Sequence, residues 1–391
     1  MQELISTEEK KEKFILVAVS ISGEKETQSS LDELDELVYT AGAMSVGRLV
    51  QNRERIHAVT YLGKGKLEEL KEMLLYMEAD GVLCDDELSP AQLRNLEMIL
   101  DTKVVDRTML ILDIFAKRAS TGEGKIQVEL AQLKYAAVRL VGLRSSLSRL
   151  GGGIGTRGPG EKKIELDRRL IHNRISVLKE ELREVKKQRD IRRKARKDNF
   201  VIAIVGYTNA GKSMLLNRLT GAGVYVKDEL FATLDPTTRT LELEAGRKIT
   251  ITDTVGFIQK LPTTLVESFN STLAEARAAD LILKVVDASD PNREKQLVAV
   301  DEVLDRIGAS GIPFVAVYNK CDLLDEASYS ALATSHPDAI LISALEGTGL
   351  QGLRYRIAQR AAQDDTTLTA LIPYREGFLQ RAVHERCQIM H

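Results

Sequence analysis

Apolar positions along the chain follow two alternating rhythms. Phe14-Ile-Leu-Val-Ala-Val19 is a continuous run of the kind carried by a strand buried on both faces. Ser30-Leu31-Asp-Glu-Leu34-Asp-Glu-Leu37 follows, with leucines three apart, and predicts a helix opened by a serine cap. Gly81-Val-Leu-Cys84 repeats the strand signal. Ser89-Pro90 starts another helix, since proline suits a first helical turn. From Gln127 to Arg149 the spacing is helical again. Ile171, Ile175, Leu178, Leu182 and Val185 then alternate four and three apart. That is a heptad seam, and it predicts an antiparallel hairpin with the Gln127–Arg149 helix. Between the two lies Gly151–Gly160, too rich in glycine to sustain helix or strand.

A second strand and helix series begins near residue 199. Phe200-Val-Ile-Ala-Ile-Val205 is a short buried-strand run, and Met214-Leu-Leu-Asn-Arg-Leu219 has helical spacing. Lys248–Thr252, Pro313–Tyr318 and Ala339–Ile342 predict further strands.

The turn between the first strand and helix of that series is Gly206-Tyr207-Thr208-Asn209-Ala210-Gly211-Lys212-Ser213, a complete G-x-x-x-x-G-K-[ST] phosphate loop in the context that such a loop requires. Its glycines let backbone N–H groups point at phosphate oxygens, and the helix behind it adds the positive end of its dipole. Lys212 supplies a charge between the β- and γ-phosphates. Ser213 offers its hydroxyl to Mg²⁺, which prefers hard oxygen ligands. About a hundred residues later comes Asn319-Lys320-Cys321-Asp322, an N-K-x-D box after a strand. A carboxylate at Asp322 accepts from the N1–H and N2 amino groups of guanine, and adenine offers neither donor. The stem of Lys320 can cover the base, and Asn319 can tie the box to the phosphate loop. Ser343-Ala344 fits a last base-contacting loop. The nucleotide is therefore expected to be GTP.

Asp253-Thr-Val-Gly256 closes the Lys248–Thr252 strand as a D-x-x-G element. Asp253 is expected to reach Mg²⁺ through water, and the Gly256 N–H to meet the γ-phosphate. The loop Phe231-Ala-Thr233-Leu-Asp-Pro236-Thr237-Thr238 should supply a threonine to the metal. Phe231 and Thr233 are expected against the nucleotide, and Thr237, beside Pro236, as the Mg²⁺ ligand, with Thr238 as the alternative. Phe257 stands where many GTPases place a water-orienting glutamine. A phenyl ring neither donates nor accepts, so no catalytic side chain is assigned. Asn209 either helps to hold a monovalent cation, K⁺, or is a turn residue.

These motifs, with Leu150-Gly-Gly-Gly-Ile-Gly-Thr-Arg157-Gly-Pro-Gly160-Glu161, Leu166-Asp-Arg-Arg169, Tyr61-Leu-Gly-Lys-Gly-Lys66, Val105-Asp-Arg-Thr108 and Asp113-Ile-Phe115, resemble the HflX family of translational GTPases over nearly the whole chain. The resemblance implies a GTP-hydrolysing protein that binds the large ribosomal subunit and its RNA and splits or rescues stalled ribosomes. It also implies that the glycine-rich loop contacts the ribosome. From residues alone that loop, with Arg157, Lys162 and Lys163, reads either as a close approach to RNA or as a linker. The family carries a small C-terminal domain, and only its start, near Leu371-Ile-Pro-Tyr374, is visible.

The expected organisation is α/β throughout. An N-terminal α/β domain covers residues 1–125. A helical hairpin with the glycine-rich loop and the basic run Lys186–Lys197 covers 126–198. A phosphate-loop GTPase domain on a mixed, mostly parallel sheet covers 199–364, and a short C-terminal segment covers 365–391. Net charge is −2 over 391 residues, so overall charge does not announce nucleic acid. Three scattered cysteines form no framework, and five scattered histidines form no zinc pattern. A charged start and no long apolar run point to a cytoplasmic monomer without a signal peptide or membrane span. Asp85-Asp86-Glu87 reads as a solvated loop rather than a metal cluster, and Gly63-Lys-Gly65-Lys66 as a turn into a helix rather than a second phosphate cradle. Rival readings are an RNA-binding factor with vestigial hydrolysis and an ATP-driven RNA remodeller. No second complete phosphate loop supports the latter.

Overall fold

A computed structural model describes residues 11–21, 23–150, 159–194, 199–221, 229–243, 247–260, 262, 270–363 and 369–386. Its first sheet is four-stranded and parallel, built from β1 (Lys13–Ser20), β2 (Met44–Asn52), β3 (Gly81–Cys84) and β4 (Lys103–Asp106) in the order β2-β1-β3-β4. Strands covered on both faces read as unbroken apolar runs, as β1 does. Leu31, Leu34 and Leu37 of α1 (Glu24–Thr40) and Ile111, Ile114 and Phe115 of α4 (Arg107–Arg118) bury one face. Leu67, Leu70 and Leu74 of α2 (Lys64–Tyr76) and Leu96 and Leu100 of α3 (Pro90–Leu100) bury the other. Ser89 and Gln92 form a capping box at the start of α3, as a serine before a first-turn proline should.

Two expectations fail here. α1 begins at Glu24, so Ser30 is not its cap. Ser30 is buried mid-helix, and its hydroxyl donates to Asp85 Oδ2 at 2.7 Å. Asp85 is fully buried rather than solvated, because its Oδ1 accepts from Arg107 Nη1 at 2.7 Å. The expected helix-entering turn at Gly63–Lys66 matches the start of α2, where Gly63 is the N-cap.

α5 (Gly122–Leu150) and α6 (Pro159–Lys194) pack as a hairpin. Leu130 meets Ile175, Leu178 and Leu182 in a buried seam, and Arg174 grips Glu129 with two hydrogen bonds of 2.7 and 2.9 Å. Residues 151–158, with Arg157, lie outside the described residues, as do the side chains of Lys162, Lys163, Arg192, Arg193 and Lys194.

The second sheet runs β10-β9-β8-β5-β7-β6. Its strands are β5 (Val201–Gly206), β6 (Thr237–Glu242), β7 (Lys248–Asp253), β8 (Leu281–Asp287), β9 (Phe314–Asn319) and β10 (Ile340–Leu341). All pairs are parallel except β6 with β7. Around it lie α7 (Lys212–Thr220), α8 (Asn270–Arg277), α9 (Arg293–Arg306), α10 (Glu326–Ser335) and α11 (Leu350–Ala361), followed by α12 (Gly377–Arg386). β5 has β7 on one side and β8 on the other, so the strand order reverses there. In open parallel sheets the crevice beyond such a reversal is where ligands bind.

One hydrophobic cluster joins the two sheets' halves of the molecule. Tyr207, Leu230, Phe231, Leu234, Val255 and Ile258 belong to the same buried group as Leu31, Ile111 and Phe115. The rings of Phe115 and Phe231 meet edge to face, with centroids 4.7 Å apart. Polar contacts frame this cluster. Asp235 accepts from the backbone and hydroxyls of Ser120 and Thr121 at 2.6–2.9 Å. Arg118 pairs with Glu229, and Arg107 with both Asp85 and Glu33.

Candidate nucleotide-binding site

β5 ends at Gly206, and the chain turns through Tyr207–Gly211 into α7. Asn209 and Gly211 both take left-handed backbone angles, φ 60° and 86°. Asparagine tolerates that region. At Gly211 a Cβ would stand 2.2 Å from Asn319 Nδ2, so the loop closes on the box only with glycine there. Thr208 N donates to Phe257 O at 2.8 Å and Phe257 N to Gly206 O at 3.1 Å, which fastens the loop to the segment after β7.

Lys212 is buried and donates through Nζ to the Tyr207 carbonyl at 2.7 Å. Burial pushes its pKa down to about 8 against the opposing pull of Asp253. Ser213 Oγ donates to Asp253 Oδ2 at 2.6 Å and lies 2.8 Å from Thr233 Oγ1. Burial raises the Asp253 carboxyl, while Lys212, Ser213 and Thr233 oppose that rise. Asp253 Oδ1 is buried and has no hydrogen-bond partner. Two hydroxyls and a half-satisfied carboxylate are the hard oxygen set that Mg²⁺ takes, directly or through water.

The threonine that the structure brings to Ser213 is Thr233. Thr237, the expected ligand, opens β6 and pairs with Asp253 across the antiparallel ladder. The reason is local: after Pro236 the backbone is committed to sheet pairing, whereas Thr233 lies in the irregular stretch before it, against Ser213. Thr238 is also a β6 residue, and its hydroxyl meets Thr252 at 3.0 Å.

At the base end, Asn319 Nδ2 donates to Ala210 O, and Asn319 Oδ1 accepts from Ala344 N, both at 2.9 Å. The box, the phosphate loop and the Ser343-Ala344 turn are thus held by one amide. Ser343 is fully buried and shapes that turn by accepting from Glu346 N at 3.1 Å. Lys320 takes a left-handed angle, φ 62°, and pairs with Asp287 at 2.7 Å. Asp322 Oδ1 is buried without a hydrogen-bond partner, as an acceptor kept for the N–H groups of a base would be.

Two of the expected nucleotide contacts also touch the first half of the molecule. The Tyr207 hydroxyl reaches Glu33 and accepts from Gln259 N at 2.5 Å. The Phe231 ring meets Phe115, while the residue also lines the pocket beside Lys212 and Ser213. Phe257 is buried in a cluster with Ala203, Val205, Leu273 and Ala276. Glu33, Asp85, Arg107 and Lys260 tie the D-x-x-G segment to the first sheet; Glu33 and Lys260 carried no sequence signal, and Asp85 and Arg107 carried none that pointed to this contact. Among the described residues no cluster of histidine, cysteine or acidic side chains forms a further metal site, and no helix is long and apolar enough to cross a membrane.

Comparison with known proteins matches three family descriptions in succession. Residues 28–116 match "GTP-binding GTPase N-terminal", residues 118–196 "GTP-binding GTPase Middle Region", and residues 201–320 "50S ribosome-binding GTPase". A GTPase HflX of Lacrimispora saccharolytica is 57% identical over 379 residues, covering 96% of this chain and 89% of the relative. The GTPase HflX of Escherichia coli is 42% identical over 378 residues, covering 96% and 88%. Among solved structures, a GTP-binding protein of Sulfolobus solfataricus in complex with GDP aligns with 90% of this chain and 99% of its own, at 27% identity and a TM-score of 0.45.

Proposed function

The chain belongs to the HflX family of GTPases, and we propose that it works in the cytoplasm on the large ribosomal subunit, where its GTP state drives docking and the splitting or rescue of stalled ribosomes. It is a GTPase with a GTP-binding domain. In the proposed cycle GTP sits with its phosphates over Gly206–Ser213 and its base against Asp322. Ser213 and Thr233 would hold Mg²⁺ by their hydroxyls, with Asp253 as a further oxygen donor directly or through water. When bound, the metal neutralises charge on the β- and γ-phosphates. The backbone N–H groups of the phosphate loop and Lys212 hold those phosphates in place, and Gly256 reports the γ-phosphate to the segment that follows it.

The observation that carries this reading is the shared hydrophobic cluster. Leu230, Phe231, Leu234, Val255 and Ile258 come from the two segments that would respond to the γ-phosphate, and they pack on α1 and α4. A change in either segment is therefore felt by the unit from which the α5–α6 hairpin projects. The family description "50S ribosome-binding GTPase" over residues 201–320 supports the choice of partner.

Sedimentation with purified large subunits tests the reading, in GTP analogue and in GDP, together with GTP turnover at rising subunit concentration. Co-sedimentation that favours the analogue, with turnover stimulated by subunits, is expected. Equal sedimentation in both nucleotides with flat turnover would overturn it. Turnover in K⁺ against Na⁺ tests a monovalent cation at Asn209, with faster turnover in K⁺ expected.

A further inference from the structure

Phe257 leaves the site without an evident group to hold the attacking water, and the structure offers a different one. Thr208 is only 6% exposed, and its Oγ1 is a buried oxygen with no hydrogen-bond partner. Burying a hydroxyl unpaired costs stability, and a valine of the same shape would avoid that cost. The hydroxyl is therefore accounted for by something the pocket takes up.

Three contacts place Thr208 itself. Thr208 N donates to Phe257 O, so the residue moves with the D-x-x-G segment. A Cβ built on Gly256 would lie 2.8 Å from Thr208 Cγ2, 3.0 Å from Thr208 Cα and 2.9 Å from Lys212 Nζ. The methyl and Cα of Thr208 thus stand against Gly256 and close to Lys212 Nζ, and these three residues line the pocket together with Ser213 and Thr233. That is where the terminal phosphate would stand. Asn209 is exposed and Phe257 is walled into the core, so neither competes for the role.

We propose that Thr208 positions the attacking water for GTP hydrolysis, supplying the polar group that Phe257 lacks. A hydroxyl donates one hydrogen bond and accepts two, so Oγ1 can accept from the water and orient it toward the γ-phosphorus. The water oxygen bonds to phosphorus as the bond to the β–γ bridging oxygen breaks. That oxygen leaves on GDP with the electron pair, and the water's proton passes to the departing phosphate and solvent. The proposal rests on the GTPase assignment and adds a residue to it.

The test compares Thr208→Val and Thr208→Ser with the wild-type full-length protein in single-turnover hydrolysis at saturating GTP and Mg²⁺, alongside GTP and GDP affinities. Thr208→Val should lower the rate about tenfold or more while both affinities stay within about threefold. Thr208→Ser should restore the rate to within about threefold of wild type. GDP binding by the valine variant shows that it is folded, and the serine variant decides the matter if it is not. A valine variant that turns over at the wild-type rate overturns the proposal. So does a weakened GTP affinity with an unchanged rate, which would make the hydroxyl a phosphate ligand. Absence of turnover in the wild type would instead count against the GTPase assignment itself.

Discussion

Lys260 Nζ lies 2.5 Å from Asp85 Oδ2, so the segment that follows Gly256 is bonded to the end of a strand in the other sheet. Lys260 also reaches Asp86 at 2.7 Å. Burial alone would raise the Asp85 carboxyl, but Arg107 and Lys260 outweigh it and hold it below the usual carboxylate range. Arg107 carries the greater part of this arrangement. It is buried, and it faces both Asp85 and Glu33.

Arg107→Leu should therefore leave two carboxylates near the interface without their main counter-charge. Removing one partner of a buried ion pair costs about 3–5 kcal/mol, and a drop of that size in urea-unfolding stability is expected. Lys260→Ala removes a side chain that is 42% exposed, so its cost should stay under about 1 kcal/mol. Its effect should appear instead as faster GDP release in stopped flow. Unchanged stability in the arginine variant would show that the network is solvated in solution.

Lys212 must hold its proton to meet phosphate. In the free protein burial brings its pKa to about 8, down from 10.5. Bound phosphate favours the charged form and raises that pKa, so above pH of about 8 binding has to take up a proton. GTP affinity should be level below pH of about 7 and fall by up to about tenfold per pH unit above 8. Titration calorimetry in two buffers of different ionisation enthalpy measures both the affinity and the proton. Equal affinity at pH 7 and pH 9 would remove the premise.

The two threonines of the loop before β7 should separate cleanly. Thr233→Ala removes the hydroxyl beside Ser213, and the Mg²⁺ concentration for half-maximal turnover should rise about tenfold, about 1.4 kcal/mol. Thr237→Ala changes a strand residue and should leave that concentration within about twofold, since a substitution away from the site seldom exceeds about 0.5 kcal/mol. The reverse ranking in a Mg²⁺ titration would restore Thr237 as the ligand.

Asp322→Asn places a donor where guanine offers its own donors. The loss in GTP affinity should be on the order of 2–4 kcal/mol, with ATP binding little changed. Calorimetry showing wild-type protein with equal affinity for GTP and ATP would sink the base assignment.

What was legible in the sequence is what short stretches of backbone decide by themselves. The loop from Gly206 to Ser213 and the box at Asn319 are shaped by their own glycines, caps and strand ends, so their motifs stand in the order in which they act. Heptad spacing likewise placed Ile175, Leu178 and Leu182 on the hairpin seam. Contacts between distant segments left no such trace. Nothing near Phe231 in sequence announces that its ring packs on Phe115, more than a hundred residues earlier. Asp85 looks like a solvated loop residue until Arg107 and Ser30 close over it. The proline beside Thr237 points to that residue as the metal ligand, with Thr238 as the alternative, but the antiparallel pairing of Thr237 with Asp253 is a property of β7 that its own neighbours do not carry.

The grip of Ser120 and Thr121 on Asp235 sits at the foot of a long helix. α5 starts at the next residue and runs for 29 residues, about 43 Å at 1.5 Å per residue. Gly124 fits so close that a Cβ there would stand 2.2 Å from Asp235 Oδ1. Asp235 follows Thr233 by two positions, so a ligand that displaces Thr233 from its 2.8 Å contact with Ser213 acts near the fulcrum of a lever. A tilt of about 5° at that point sweeps the far end of α5 through about 4 Å, on the same rise per residue. Leverage of this kind turns a displacement the size of one bond into travel comparable with the width of a side chain.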